Sequence, residues 1–164
     1  MTETSKAQAT RRETGYPAVL SARVGFLLAQ AHLVAREDAD RALAELDLSA
    51  KEFGVLATVV SDAPISQQRL SRRLRVDPAT MVDVIDELES AGHIARRRNP
   101  EDRREYALQV TAKGRALYGR ALKAVIQAER HTFRGLRADE LGVLTRLLDR
   151  LAARVETNGI ARPA

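Results

Sequence analysis

A mainly α-helical fold with one small β hairpin is predicted by three features of this sequence. Aromatic residues make up 4% of the 164 residues, and the chain holds only 5 prolines and 9 glycines, as is common in helical chains. Apolar residues recur at spacings of three and four through most of the chain, which indicates amphipathic helices. Period-two alternation is confined to Tyr106, Leu108 and Val110, which follow an Asn-Pro-Glu-Asp turn segment. One strand pair therefore interrupts an otherwise helical chain.

Composition and charge place the chain among soluble globular proteins of about one domain. Hydrophobic residues account for 45% of the sequence and charged residues for 30%. No apolar run is long enough to span a membrane, and the N-terminus lacks the apolar core of a signal peptide, so we expect a cytoplasmic protein. The net charge of +5 suits a polyanionic partner without proving one. The absence of cysteine excludes a thiol-based redox sensor.

Two short helices joined by a tight turn are predicted in the middle of the chain, each with its own capping signals. Ser66 precedes the first helix, and Asp77-Pro78 begins the second with a cap and a proline at the first helical position. Gly92 suits the left-handed backbone that ends a helix. The expected buried positions are Leu70 and Leu74 in the first helix, and Met81, Val84, Ile85 and Leu88 in the second.

A hairpin after these helices completes a winged helix-turn-helix. Residues 94–98 and 104–110 would pair across a turn at 99–102. In this arrangement one helix enters the major groove of DNA and the hairpin lies beside it. Residues 69–75 hold four arginines and residues 96–104 hold five. Clusters on both sides of the module favour a nucleic-acid partner over a merely solvated surface.

A capping box marks the start of the segment that leads into this module. In Leu48-Ser49-x-x-Glu52, the Ser49 and Glu52 side chains can each satisfy a backbone N–H at the helix start. The helix that they begin would place these residues on one face: Phe53, Leu56, Ala57 and Val60.

Helices with unusually apolar surfaces are expected on both sides of the module. Residues from Pro17 to about Leu46 predict one helix that is apolar on several sides, a pattern rarely exposed in a monomer. Thr111 would cap a helix that continues to about Leu136. A narrow seam in a last helix over 139–155 is formed by Leu141, Leu144, Leu148, Leu151 and Val155. Such a seam suits a partner helix, with packing inside the same chain as the alternative.

These signals divide the chain into five expected segments. They are a disordered N-terminal arm (1–15), an N-terminal dimerisation helix (16–48), the winged helix-turn-helix DNA-binding region (49–111), C-terminal dimerisation helices (112–156) and a tail (157–164). In the homodimer that this layout predicts, terminal helices of two copies pack together and each copy presents one DNA-reading module. Half-sites would then lie about 10 base pairs apart in an inverted repeat.

One pattern of motifs runs from the second helix of the module through the hairpin to the next helix. Its parts are Asp77-x-x-Thr80, Leu88-Glu89-x-x-Gly92, Arg96, Asp102-Arg103-Arg104 and Val110-Thr111-x-x-Gly114. The pattern resembles that of the MarR (multiple antibiotic resistance regulator) family of bacterial transcriptional regulators. The resemblance implies a dimeric repressor that is released from its operator by a small aromatic or lipophilic acid, held between the dimer helices and the DNA module.

Candidate phosphate contacts lie in the first helix of the module and after it. The helix dipole and free backbone N–H groups near Ser66 and Gln67 suit a phosphate, although capping alone explains Ser66 equally well. Arg72, Arg73 and Arg75 are the candidates for anchoring the DNA backbone.

Candidate base contacts lie on the exposed face of the second helix. Ala79 is small enough for close approach to base edges, and Thr80 could meet a thymine methyl group or a phosphate. Asp83 stands where many relatives carry arginine; it could accept a hydrogen bond from a cytosine amino group or repel other sequences. The neighbouring acids Asp86 and Glu89 would weaken nonspecific affinity.

At the hairpin, the resemblance implies that Asp102 fixes Arg104, which enters the minor groove. A narrow minor groove concentrates negative potential, and a guanidinium that is already fixed loses less entropy on insertion. The alternative is a surface salt bridge worth at most ~1 kcal/mol. Arg103 is a candidate for phosphate contact and Arg96 for support of the strand.

Ligand and catalytic sites have weaker signals. Four residues could line a ligand crevice: Arg23, His32, Arg36 and Phe53. Ordinary interface packing explains His32 more simply, and surface ion pairs explain Arg36. The three histidines lack metal-ligand spacing, and no phosphate loop or nucleophile–base motif is present. We therefore expect no catalysis, cofactor or metal. The alternative function is a winged-helix interaction module without sequence-specific DNA binding.

Overall fold

The structure, a computed structural model, describes residues 15–98 and 106–157, with side chains to residue 153. Its elements are α1 (Ala18–Ser21), α2 (Val24–Ala44), α3 (Ala50–Asp62), β1 (Ile65–Ser66), α4 (Gln67–Leu74), α5 (Pro78–Ser90), β2 (Ile94–Arg98), β3 (Tyr106–Val110), α6 (Ala112–Thr132) and α7 (Ala138–Thr157). The chain divides into two compact units between Glu37 and Asp38. This division falls inside the segment 16–48 that the sequence treats as one dimerisation helix. The predicted arm, apart from Gly15, and residues 158–164 of the predicted tail lie outside the described residues.

The prediction of one helix from Pro17 to Leu46 is wrong at both ends. The Arg23 N–H bonds to the carbonyl of Leu20 at 2.9 Å, a three-residue bond that tightens the chain and separates α1 from α2. At the other end, Asp47 takes a positive φ of 51°, and the Leu48 N–H bonds to the Leu43 carbonyl at 3.2 Å. Helix α2 therefore ends at Ala44.

The core of the second unit is formed by side chains from the end of α2, the turn after it, α3, α4, α5, the strands and α6. The capping box at the start of α3 is confirmed, because Ser49 Oγ accepts the Glu52 N–H at 3.2 Å and Glu52 accepts the Ser49 N–H at 2.7 Å. The predicted inner face of α3 is only partly right. Leu56 is fully buried, but the other buried apolar positions of α3 are Val55 and Val59. Because α3 packs against α4, α5, α6 and β3, its buried surface is wider than one stripe.

The hairpin belongs to a three-stranded antiparallel sheet in the order β1-β3-β2. Sequence patterns did not predict β1 as a strand; Ile65 pairs with Leu108 and Ser66 with Ala107. The alternation expected in β3 holds for Leu108, which is buried, and fails at Tyr106, which is 57% exposed. Tyr106 pairs with Arg98 alone, beyond the reach of β1 and of the core.

The junction of α5, β2 and α6 is closely packed. Gly92 has a φ of +75°, as predicted, and the His93 N–H bonds to the Leu88 carbonyl at 2.8 Å in a Schellman closure. Thr111 caps α6 through the Gly114 N–H at 3.0 Å and donates its hydroxyl to the Gly92 carbonyl at 2.8 Å. A Cβ on Gly114 would lie 1.9 Å from the His93 carbonyl oxygen. Only glycine fits there.

The two C-terminal helices differ from expectation in their bounds. Helix α6 ends at Thr132 rather than Leu136, because the N–H groups of Arg134 and Leu136 make three-residue bonds that wind the chain into a turn. Helix α7 exposes large apolar side chains, with Leu147 48% and Leu151 49% exposed. Among the residues that the structure describes, no helix combines the length and apolarity needed to cross a membrane.

Candidate nucleic-acid interface

The turn between α4 and α5 is held by a buried serine. Arg75 ends α4 in the left-handed region, with a φ of 53°. The Ser71 hydroxyl, in a side chain only 8% exposed, donates to the Val76 carbonyl at 2.6 Å, and the Val76 N–H returns a bond to the Ser71 carbonyl at 3.2 Å. These bonds fix the angle at which α5 leaves α4.

A groove of about 490 Å³ lies between α4 and the N-terminus of α5. Gln67 and Arg72, both predicted as DNA contacts, line it together with Gln68, Ser71 and Pro78. Gln68 and Pro78 were not among the predicted site residues. Gln68 could have been predicted as a site residue, because it is a polar residue in the first turn of α4 beside Gln67. The predicted buried positions of that helix are already assigned to Leu70 and Leu74.

The predicted phosphate anchors have different surroundings. The Arg73 guanidinium is paired with Asp62 at the end of α3, Nε to Oδ2 at 3.2 Å. Arg72 and Arg75 are exposed, and Arg72 stands at the groove. Ser66 acts as the N-cap of α4, accepting the Arg69 N–H at 3.4 Å. Arg72 and Arg75 are therefore the better placed of the three arginines for a polyanion.

Helix α5 has one buried face and one exposed face, as predicted. Met81, Val84, Ile85 and Leu88 are all buried. Asp77 accepts the Thr80 N–H at 2.9 Å, and that bond, with the Thr80 hydroxyl, lowers the pKa of Asp77. The exposed face carries Ala79, Val82, Asp83, Asp86 and Glu87. Val82, which is 38% exposed, had no predicted role, although an apolar residue off the buried stripe is a readable signal.

The acids in the C-terminal half of α5 are partly neutralised by Arg96 of β2. The guanidinium of Arg96 pairs with Asp86, Nη2 to Oδ1 at 2.5 Å, and also with Glu89 Oε2. The Arg96 backbone N–H bonds to Glu89 Oε1 at 3.0 Å. These contacts attach β2 to α5, and they leave less net negative charge on the exposed face of α5 than its sequence suggests. The role of Arg96 in strand support stays a prediction.

Comparison with known proteins identifies the family. A model of the MarR family matches residues 48–106. The HTH-type transcriptional repressor Rv2887 of Mycobacterium tuberculosis is 32% identical over 132 residues, which cover 80% of this chain and 95% of that protein. The chain belongs to the MarR family. The family includes transcriptional regulators, which is the class that the helix-turn-helix geometry indicates.

Solved MarR-family structures share the fold. Wild-type MarR from Escherichia coli in its apo form matches with a TM-score of 0.71 at 26% identity, over 79% of this chain and 96% of the MarR chain. The transcriptional repressor CouR bound to a 23-mer DNA duplex matches with a TM-score of 0.76 at 31% identity, over 82% of this chain and 96% of CouR. CouR from Rhodococcus jostii RHA1 has also been solved with p-coumaroyl-CoA, and Rv2887 with p-aminosalicylic acid.

The tip of the MarR-family wing, with Asp102, Arg103 and Arg104, lies outside the described residues, so its proposed ion pair stays a prediction. The strand that leads to the tip is described. Arg97 and Arg98 at the end of β2 are exposed, with Arg98 opposite Tyr106. Both were part of the arginine cluster noted in the sequence, but neither was assigned a contact.

The four predicted ligand residues are divided between the two units. Arg23, His32 and Arg36 are exposed in the first unit. Phe53, in the second unit, is half-buried and stacks on Tyr118 of α6, with ring centroids 6.1 Å apart and planes 17° apart. Tyr118 was missed because the residues that separate it from Phe53 in the sequence give no sign of the pairing. Among the described residues, no cluster of three or more acidic, histidine or cysteine side chains has the arrangement of a metal site.

Proposed function

We propose that this MarR-family protein is a DNA-binding transcriptional repressor that binds an inverted-repeat operator as a dimer and releases it when a small ligand binds. The observation that carries the proposal is the fixed α4–α5 turn, which presents the exposed start of α5 beside a groove lined by Arg72. A helix that reads bases must be held rigidly with one face free, and this one is. We infer that its action is regulation by binding and not catalysis.

Within this proposal the contacts fall into two classes. Arg72, Arg75 and Gln67 would bind phosphates and set the position of the module on the duplex. The exposed face of α5 would read bases, with Ala79 and Val82 against thymine methyl groups and Asp83 accepting from a cytosine amino group. Helix α5 contains no lysine or arginine, so it lacks the usual reader of guanine.

Support for the dimer comes from apolar surface on the terminal helices. Val24 and Leu33 of α2 are 70% and 57% exposed, and Leu147 and Leu151 of α7 are about half exposed. Large exposed apolar patches mark interaction sites. We therefore propose that residues 16–48 and 112–156 form the dimer. Residues 49–111, which contain the winged helix-turn-helix, would bind DNA.

Support for a ligand comes from the relatives. CouR has been solved with p-coumaroyl-CoA and Rv2887 with p-aminosalicylic acid, both of which carry an aromatic ring and acidic groups. We propose that this chain binds a small aromatic or lipophilic acid, which has the aromatic character common to both of these ligands. Phe53 stacked on Tyr118 offers an aromatic surface of the matching kind.

Binding of the protein to a duplex from its own upstream region, measured by fluorescence anisotropy at two salt concentrations, tests the proposal. A repressor will bind with a steep salt dependence and will discriminate by at least ~1,000-fold against unrelated DNA. A winged-helix interaction module will bind weakly and without preference, which would refute the proposal. Aromatic acids added to the preformed complex will lower the anisotropy if the ligand class is right.

A further inference from the structure

Ion pairs of Arg96 with Asp86 and Glu89, which we call the clamp, join β2, the first strand of the wing, to the C-terminal half of α5, the proposed recognition helix. Arg96 lies seven residues after Glu89 and ten after Asp86, and it contacts both acids through its guanidinium and Glu89 also through its backbone N–H. The side chains of Arg96, Glu89 and Asp86 are 25%, 37% and 55% exposed, so the pair with Glu89 is the more shielded of the two. Three polar contacts therefore link β2 to two successive turns of α5.

The protonation behaviour of the clamp agrees with its geometry. The Arg96 N–H and guanidinium lower the pKa of Glu89. Burial alone would lower the pKa of Arg96, but its hydrogen bonds to Asp86 and Glu89 outweigh burial and raise it. Both shifts favour the charged forms of Glu89 and Arg96, so the ion pair between them persists across the physiological range.

The position of the clamp allows it to restrict the orientation of the wing relative to α5. Helix α5 and β2 are joined by the Schellman turn at Gly92, and the buried side chains of Leu88 and Ile94 pack on either side of it. Beyond the turn, Ile94 at the start of β2 is buried in the same core as the apolar face of α5. The clamp adds polar attachments two residues further along β2, and the exposed Arg97 and Arg98 follow it directly toward the wing tip.

We propose that Arg96 is a positioning residue that sets sequence specificity, by holding the wing at a fixed angle to α5 and by neutralising two carboxylates on the DNA-reading helix. This inference rests on the proposed DNA-binding function. Specificity requires α5 and the wing to meet the major and minor grooves in one register. A wing that is free to pivot can still bind phosphate, but it then adds the same binding free energy for every DNA sequence and does not discriminate between them.

Removal of the acids distinguishes this role from direct phosphate contact by Arg96. Glu89→Gln takes one charge from α5 and breaks the clamp, whereas the matched control Asp47→Asn takes one charge from an exposed position in the turn between α2 and α3. If Arg96 positions the wing, Glu89→Gln will lower the ratio of operator to unrelated-DNA affinity by about tenfold, and Asp47→Asn will leave that ratio near wild type. If Arg96 binds phosphate, freeing it will raise operator affinity and steepen the salt dependence, which would overturn the proposal.

Arg96→Lys provides the second test. Lysine keeps the charge but lacks the planar fork that reaches both carboxylates. A positioning role predicts that Arg96→Lys loses specificity as Glu89→Gln does, with unrelated-DNA affinity unchanged. A lysine variant that retains the wild-type ratio would overturn it.

The clamp is also testable without DNA. Urea midpoints of Arg96→Gln, Glu89→Gln and the double variant form a cycle, and the clamp predicts that the double variant loses clearly less than the sum of the single losses. Additive losses would overturn the clamp even if the protein is a repressor. A wild-type protein without DNA preference but with a non-additive cycle would instead refute the proposed function and, with it, the role of Arg96 in specificity.

Discussion

The winged-helix part of the chain buries its large apolar side chains, whereas the helices at the two ends of the chain leave many of theirs exposed. Within the part of the chain that the structure describes, every one of the largest fully buried side chains except Leu43 falls between Val55 and Leu108. In residues 15–37, and in α7 as far as residue 153, no side chain is buried. One region completes its own core, while the other presents apolar side chains that a single copy leaves uncovered.

This contrast explains how a DNA-reading module can be rigid and still depend on a partner. The module needs fixed geometry to read bases, and a self-sufficient core supplies it. In the proposed dimer the terminal helices would set the spacing between two modules, because their exposed leucines and valines would gain by association. Substitutions in the two regions should therefore affect different measurements.

The largest effect is expected from charges placed on the exposed apolar surface of α7. The double substitution Leu147→Asp and Leu151→Asp puts two carboxylates into the proposed dimer interface. We expect monomers in analytical ultracentrifugation and a loss of operator affinity of at least ~100-fold, because each module then binds alone. The control Asp149→Asn lies on the same helix and should keep the dimer. A dimer that survives the double substitution would remove the contrast between the two regions.

The next largest effect is expected inside the module. Gly114→Ala would place a Cβ 1.9 Å from the His93 carbonyl, so the start of α6 must move away from the wing. We expect a loss of about 3 kcal/mol or more in the free energy of unfolding, measured in urea. Gly119→Ala on the same helix meets nothing within 4 Å and should be neutral or stabilising. Equal effects of the two would contradict the close packing described at this junction.

Acid should weaken the same junction through His93. Its Nδ1 is buried and has no hydrogen-bond partner among the described residues. Burial lowers the pKa of His93 below its usual 6.5, Lys113 and Arg120 add to the effect, and Glu52 opposes it. Since the unfolded chain then binds a proton more readily than the folded one, stability should fall as pH drops from about 6.5 toward the folded-state pKa. His93→Gln should flatten that part of the profile; an unchanged slope would exclude His93 as its source.

The smallest effect is expected at the start of the recognition helix. Asp77→Ala removes the side chain that accepts the Thr80 N–H, so it should lower the stability slightly through loss of the N-cap. The exposed Asp83→Ala should change stability little and instead alter which bases are preferred. Thermal unfolding and operator competition measure the two outcomes. A loss of stability at Asp83 as large as that at Asp77 would show that the exposed face of α5 has a structural role.

Local signals were sufficient to predict the caps, the buried stripe of α5 and the class of fold. Ser49, Asp77 and Thr111 each cap a helix through a backbone group three residues away, and Gly92 is read from its position after Leu88 and its tolerance of positive φ. These interactions are decided within one or two helical turns, so the sequence alone contains them.

Other features depended on residues brought together by the tertiary structure. From the sequence, Arg96 could be a DNA contact or a support for the strand, and only the structure shows its bonds to Asp86 and Glu89. The sequence likewise suggests that the acids of α5 repel DNA, whereas in the structure Arg96 neutralises two of them. The strand at Ile65 exists because Leu108 lies beside it, and the pairs that β1 makes with β3 are at Ala107 and Leu108, so they do not extend to the exposed Tyr106. Helix caps and stripes follow from near neighbours in the sequence, whereas ion pairs across elements and the edge of a sheet are decided by distant ones.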